Sequence, residues 1–291
     1  MTSYRAGVVT LLMFTFGCAS ELETLRFARQ AEGSESTVAF QWQNPSDPYL
    51  TELRKHYALD RVLSGSRNDY ERVLAITHWA HQRWKHSATH AASEDDPISI
   101  LKAAARGERF RCTEYSIVAA GALNSIGIPA RIVFLEVRSK TQKLLGVGGH
   151  VAAEAFLRDE GKWVMLDAQW DAVPLLQGRP LNAVELQAAI ASDAQGLGIA
   201  SLSETSAGEY VKWIAPYLYS FTVRLDNRLG VTPRLPGFLS LVPLGAPEGD
   251  KRFTHTNSPD VFYRPLAAAG ANDAQQRVPA DRTRPAGSSG R

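Results

Sequence analysis

Apolar positions along this chain are well patterned in its centre and weakly patterned at both ends. Between Asn68 and His86, the residues Tyr70, Val73, Leu74, Thr77, Ala80 and Trp84 recur at three- and four-residue spacing. That period predicts an amphipathic helix, with Asp69 near its positive end. Asp96-Pro97 opens a second helix, with aspartate as N-cap and proline at the first helical position. Ile98, Leu101 and Ala105 form its buried side, and Gly107 stops it. A third helix covers Arg111–Ile126, with Ile117, Val118, Gly121, Ala122 and Ile126 as its apolar or small face. Gly127 and Pro129 end it. Arg131–Val137 then reads as a strand, and Gly149–Leu157 with Lys162–Leu166 as a hairpin about Arg158–Gly161. Helices follow over Asn182–Gln195 and Glu209–Phe221. The proline-rich stretch 230–245 reads as irregular or extended. Upstream, short helices are expected over Leu22–Gln30 and Pro48–Leu59, and a strand over Thr37–Gln43. Helices first, then hairpin-connected strands, predict an α+β fold with a largely antiparallel sheet and extra helices.

The ends have a different character. Arg5 precedes Ala6–Gly17, twelve residues whose only polar members are Thr10 and Thr15. This is too short to span a bilayer and fits the apolar region of a signal peptide over residues 1–18. The small residue before Cys18 resembles a bacterial lipoprotein processing site, although Thr15 stands where an aliphatic residue is usual. The expectation is an exported protein, periplasmic or membrane-anchored, with Cys18 as the lipidated residue. Residues 19–68 read as an N-terminal extension, 69–175 as the core, and 176–264 as a helical and irregular extension. Residues 265–291, rich in Ala, Gly, Arg and Pro, have little to bury and are expected to be disordered.

Composition changes this picture little. With 291 residues and 44% apolar content, the chain is long enough for one good core. A net charge of +2 gives no reason to expect a nucleic-acid partner. Cysteine usage is more informative. Cys18 and Cys112 are the two cysteines in the sequence, so a lipidated or removed Cys18 leaves Cys112 as a lone thiol. A lone thiol in an exported chain calls for a reason.

Cys112 opens the Arg111–Ile126 helix after Arg109 and Arg111. A helix N-terminus and nearby cations both favour thiolate, the nucleophilic form. With a two-residue turn in the hairpin, partner numbers sum to an odd value, which places Asp167 on the same face as His150. A thiol, an imidazole and a carboxylate so arranged are a nucleophile, a base and its orienter. His78, His81, His86 and His90 lack the spacing of a zinc site and read as a solvated face. Neither a metal nor a cofactor is expected.

Three segments carry a family resemblance. Arg111–Val133 (RCTEYSIVAAGALNSIGIPARIV) resembles the nucleophile helix of the transglutaminase-like superfamily. GGHVAAEAFL at 148–157 and GKWVMLDAQWD at 161–171 are similar to that family's histidine and aspartate strands. Together the blocks sit within about residues 70–172. The resemblance implies a papain-like α+β core and acyl transfer on amide or peptide bonds through a thioester at Cys112, with His150 and Asp167 completing the set. The expected partner is a peptide or protein substrate. Gln82 and Trp84 are candidates for a second oxyanion donor beside the Cys112 N–H. Ala152 departs from the family, which has an aromatic residue two places after the histidine. A binding module with a relic triad and an arylamine acetyltransferase-like enzyme stay open as alternatives.

Overall fold

The computed structural model describes residues 23–28, 38–138, 148–229, 237–247 and 251–264. The proposed signal peptide, Cys18 and the 265–291 tail lie outside them. Five helices come first: α1 (Pro48–His56), α2 (Leu59–Val62), α3 (Asp69–His81), α4 (Pro97–Ala105) and α5 (Cys112–Ser125). Their starts are where side chains satisfy the orphan N–H groups of a first turn. Asn68 accepts from the Glu71 N–H at 2.8 Å, and Asp96 from the Ser99 N–H at 3.0 Å. The α3 helix ends at His81, one turn short of the expected His86.

Strands β1 (Ala130–Glu136), β2 (His150–Leu157) and β3 (Lys162–Leu166) follow. The small elements β4 (Val173–Leu176), β5 (Arg179–Pro180), α6 (Ala183–Ala191) and β6 (Leu197–Ala200) come next, with β4 central in a three-stranded sheet of order β5-β4-β6. Last are α7 (Ala207–Ile214), a 3-10 turn (Ala215–Tyr217), β7 (Ser220–Arg224), β8 (Phe238–Leu241), β9 (Thr254–Thr256) and α8 (Pro259–Phe262). The main sheet runs β3-β2-β1-β7-β8-β9, and every pairing in it is antiparallel except β8 with β9.

The expected α+β class is the observed one. Residues 176–264 are nonetheless more than a helical and irregular extension, because they supply three of the six main strands, and β7 lies against β1. The Glu209–Phe221 helix stops at Ile214, gives a 3-10 turn around Pro216, and yields to a strand from Ser220. Proline removes a donor and ends the helical ladder there. Within 230–245, Phe238–Leu241 is a strand. Leu22–Gln30 is without a helix over its described residues 23–28, and Thr37–Gln43 makes one bridge, Gln41 to Asp226.

The alternation of side chains gives the sheet two packed faces. Ala153, Ala155 and Leu157 join the core around α5, whereas Ala152 and Met165 join a second core with Leu186, Tyr210, Ile214 and Phe221. Helix α5 is surrounded by α1, α3, α4 and the sheet. A Cβ at Gly121 would lie 2.4 Å from Pro97 Cγ, so only glycine lets α4 and α5 approach this closely. On the second of these faces, the cross-strand partners Arg131 and Glu154 form an ion pair with both side chains at 0% exposure. The guanidinium lies 4.3 Å from the Trp163 ring and 4.7 Å from that of Phe262, and donates to the Phe262 carbonyl at 3.0 Å. Tyr263 donates its hydroxyl to Glu154 at 2.8 Å. Helix α8 and Tyr263 after it are thereby tied to β1 and β2.

Candidate active site

Cys112 is the first residue of α5, where N–H groups lack helical partners and the local potential is positive. The turn is held by Glu114, whose buried carboxylate accepts from the Arg111 N–H at 3.1 Å, the Arg111 guanidinium at 2.9 Å and the Ala92 N–H at 3.1 Å. Ser116 Oγ reaches the carbonyls of Cys112 and Val151, each at 3.0 Å, which fastens the start of α5 to the start of β2. The thiol itself is half-buried. Burial pushes its pKa up, but a hydrogen bond and charge from His150, with the Val151 N–H, hold it below the ordinary thiol value.

His150 opens β2, opposite Leu135 of β1. Its entry needs Gly149, at φ +138°, where a Cβ would stand 2.9 Å from the Leu135 carbonyl oxygen. The imidazole and the Asp167 carboxylate are 2% and 1% exposed, and His150 Nε2 meets Asp167 Oδ2 at 2.8 Å. Nδ1 is then the ring nitrogen left to hydrogen-bond the thiol. Burial alone would lower the imidazole pKa. The Asp167 charge and hydrogen bond, followed by the thiol, override it and raise it to about 9. With the thiol moved down and the imidazole up, both shifts favour the thiolate–imidazolium pair over the neutral thiol and imidazole.

Asp167 sits where the hairpin places it. The loop between β2 and β3 holds four residues, 158–161, rather than two, and still gives partners such as Ala153 and Leu166 whose numbers sum to an odd value. Asp167 Oδ1 accepts from the Gln169 N–H at 3.0 Å, and its backbone bridges to Ala172. The fully buried Tyr210 hydroxyl stands close to this carboxylate without a well-formed hydrogen bond. Burial first, and the Asp167 charge second, push the phenol pKa well above its usual value.

A second histidine–aspartate pair stands beside the first. His78 Nδ1 donates to Asp171 Oδ2 at 2.9 Å, and Gln82 Nε2 donates to His78 Nε2 at 2.8 Å. Asp171 also accepts from Ser201 Oγ at 3.2 Å and the Leu202 N–H at 3.1 Å. It is buried at φ +50°, a region rarely used by residues with a side chain. His81 Nδ1 donates to the Ala168 carbonyl at 3.1 Å. The expected solvated histidine face is therefore corrected at His78 and His81, which clamp the turn bearing Asp167. Exposed His86 lies near enough to titrate with the pair. Its pKa is lowered, first by desolvation and then by the His150 charge.

The oxyanion candidates fare differently from the triad. The Gln82 amide is engaged by His78. The Trp84 Nε1 is buried without a partner, its ring wedged 4.4 Å from Tyr115 and 5.6 Å from Phe110, so it faces no open space. The Cys112 N–H at the helix start remains as donor. A cavity of about 320 Å³ lies elsewhere, lined by Asp95, Ile117, Gly121, Arg224 and Asp226 among others, and none of the three triad residues borders it. Among the described residues no cluster of His, Cys, Asp and Glu is arranged to hold a metal, and no helix is long and apolar enough to cross a membrane.

Residues 57–168, which include Cys112, His150 and Asp167, match the model of the transglutaminase-like superfamily. Over that segment the chain is similar to the transglutaminase-like superfamily. Comparison with curated proteins gives no match. Among solved structures, the chain is similar to a candidate cysteine protease from Cytophaga hutchinsonii, at 18% identity over 59% of this chain and 53% of that one, with a TM-score of 0.35. It thus spans about half the length of that protein. Legionella pneumophila LapG in its calcium-bound form is 13% identical over 56% of this chain and 97% of its own, with a TM-score of 0.31. Red sea bream transglutaminase is 15% identical over 50% of this chain and 30% of its own, with a TM-score of 0.30. The matched segment ends at Ala168, so Asp171 and the aromatic residues of α7 lie outside it.

Proposed function

We propose that this protein is a cysteine-dependent acyl-transfer enzyme of the protease or amidase type, acting on a peptide or protein substrate. The observation that carries the reading is the contact chain Cys112–His150–Asp167, with the Nε2–Oδ2 distance of 2.8 Å and opposed shifts of thiol and imidazole. The Cys112 thiolate attacks the carbonyl carbon, forming the S–C bond and moving the π electrons to oxygen. The Cys112 N–H stabilises that oxyanion. Collapse breaks the C–N bond, and the His150 Nδ1 proton passes to the leaving nitrogen. Water or an amine then attacks the thioester, gives its proton back to Nδ1, and releases the thiolate. Asp167 holds the imidazole orientation and stabilises its cation throughout.

The test is turnover of peptide, glutaminyl and cell-wall peptide substrates, with and without added amine. Cys112→Ala is expected to abolish turnover and labelling by a thiol electrophile, with an unchanged circular dichroism spectrum. Turnover that survives the substitution, or a folded protein whose Cys112 is inert to electrophiles, overturns the reading. Product formed only with amine selects transamidation, and product formed without it selects hydrolysis. Export with a lipid on Cys18 belongs to the same proposal and rests on the Arg5–Cys18 pattern. A mature N-terminus other than acylated Cys18, read by mass spectrometry, removes the anchor.

A further inference from the structure

His150 shares its sheet face with Ala152, and that face is covered by the C-terminal half of the chain. The Trp213 ring centroid lies 4.7 Å from the His150 ring at 79°, and the Tyr217 ring 5.9 Å from it at 48°. These two rings are 5.3 Å apart. Behind them Trp170 packs 5.0 Å from Trp213 and 5.9 Å from buried Tyr210, so the rings form one continuous row from the core to the base. Trp213 and Tyr217 are half-exposed, whereas Tyr210 and Ile214 on the same segment are buried. The Tyr217 phenol is raised by burial and then by the charge of Cys112, so it lies within electrostatic reach of the thiol as well as against the base. A bulky residue is missing from β2 itself, where Ala152 is fully buried.

These rings flank a particular side of the reaction. His150 must hand its proton to the leaving nitrogen, so the leaving group departs on the His150 side of the sulfur. Half-exposed indole and phenol surfaces there favour contact with another ring or a large apolar group. The imidazolium they surround repels a cationic group at the same place. We infer that Trp213 and Tyr217 form a leaving-group subsite, supplied from outside the transglutaminase-like segment, which takes an uncharged amine bearing an aromatic or large apolar substituent. This rests on the acyl-transfer reading above. An amine that resolves the thioester approaches by the same route, so the preference extends to acceptors.

Two thioacetates that differ only in the leaving thiol, S-benzyl and S-ethyl, test it. Both deliver the same acetyl group to Cys112, and intact-mass spectrometry follows the acetyl-enzyme. Rates are divided by those of the same thioesters with glutathione, which removes intrinsic reactivity. The expected preference for benzyl is about 2- to 10-fold, the size of one or two aromatic contacts. Trp213→Ala and, as a milder change at a half-exposed turn, Tyr217→Leu are each expected to reduce it towards unity. Equal normalised rates in the parent protein, or a preference that survives both substitutions, overturn the subsite. Iodoacetamide separates the two readings. If it fails to alkylate Cys112 at all, acyl transfer fails. Normal alkylation and acetylation without a benzyl preference refute only the subsite.

Discussion

His78 donates to Asp171 at 2.9 Å, four residues beyond the carboxylate that holds His150. One pair continues the contact chain from Cys112, and the other fastens the turn between them to α3. Losing the Asp171 acceptor strands the His78 Nδ1–H and the Leu202 N–H, while Ser201 Oγ keeps its Ser203 partners. Asp171→Ala is expected to cost about 1–3 kcal/mol and to slow alkylation of Cys112 at neutral pH. Asp171→Asn keeps an acceptor and a side chain that tolerates positive φ, so it should retain most of both. Equal loss in the two variants, by thermal melts and iodoacetamide rates, contradicts the clamp.

The raised imidazole pKa links stability to pH. The His150 pKa is about 9 when folded, against about 6.5 in an unfolded chain. Its contribution is therefore complete below about pH 6.5 and is lost as pH rises through about 9. The loss is about 3 kcal/mol at most. Denaturant titrations between those pH values should show it in the parent protein and a flatter curve in His150→Phe.

A thiol pKa held below its ordinary value is a second consequence of the pair. Iodoacetamide alkylation of Cys112 should persist below the pH at which an ordinary thiol becomes unreactive. In Asp167→Asn the imidazolium loses its counter-charge, and the alkylation profile should move to higher pH. An unmoved profile would show that Asp167 does not sustain the ion pair.

Gly149 carries no chemistry, yet a methyl group there meets the Leu135 carbonyl at 2.9 Å. Gly149→Ala should displace the start of β2 and cut the rate of Cys112 alkylation roughly tenfold, about 1.4 kcal/mol in barrier. A near-parental rate would show that the strand entry adapts.

Arg131 and Glu154 are fully buried and mutually dependent. Removing one partner leaves a desolvated charge, so Glu154→Leu is expected to cost about 3–5 kcal/mol. Arg131→Met combined with Glu154→Leu should recover part of that loss. Chemical denaturation of the single and double variants measures it, and additive losses would argue against the pair.

Much of the centre was legible from local signals. Asp69, Asp96-Pro97 and the Gly127–Pro129 stop announced three helices because capping and breaking act within one turn of chain, although the cap of the first is Asn68. Hairpin parity put His150 and Asp167 on one face because side chains alternate strictly along a strand. Ser220–Arg224 was less legible: the helical reading, interrupted at Pro216, still extended to Phe221, and only pairing with β1 reveals the strand. His78 and Asp171 are 93 residues apart, and nothing in either local pattern announces the other.

The sequence by itself determined the α+β class and put Cys112 at a helix start and His150 and Asp167 on one sheet face, since these follow from period and spacing within about sixty residues. The tertiary structure decided what surrounds them: the His78–Asp171 clamp, the engaged Gln82 amide, and the Trp213–Tyr217 wall against His150. Those contacts depend on which distant side chains fill the space beside a sheet face, and packing of that kind leaves no periodic trace along the chain.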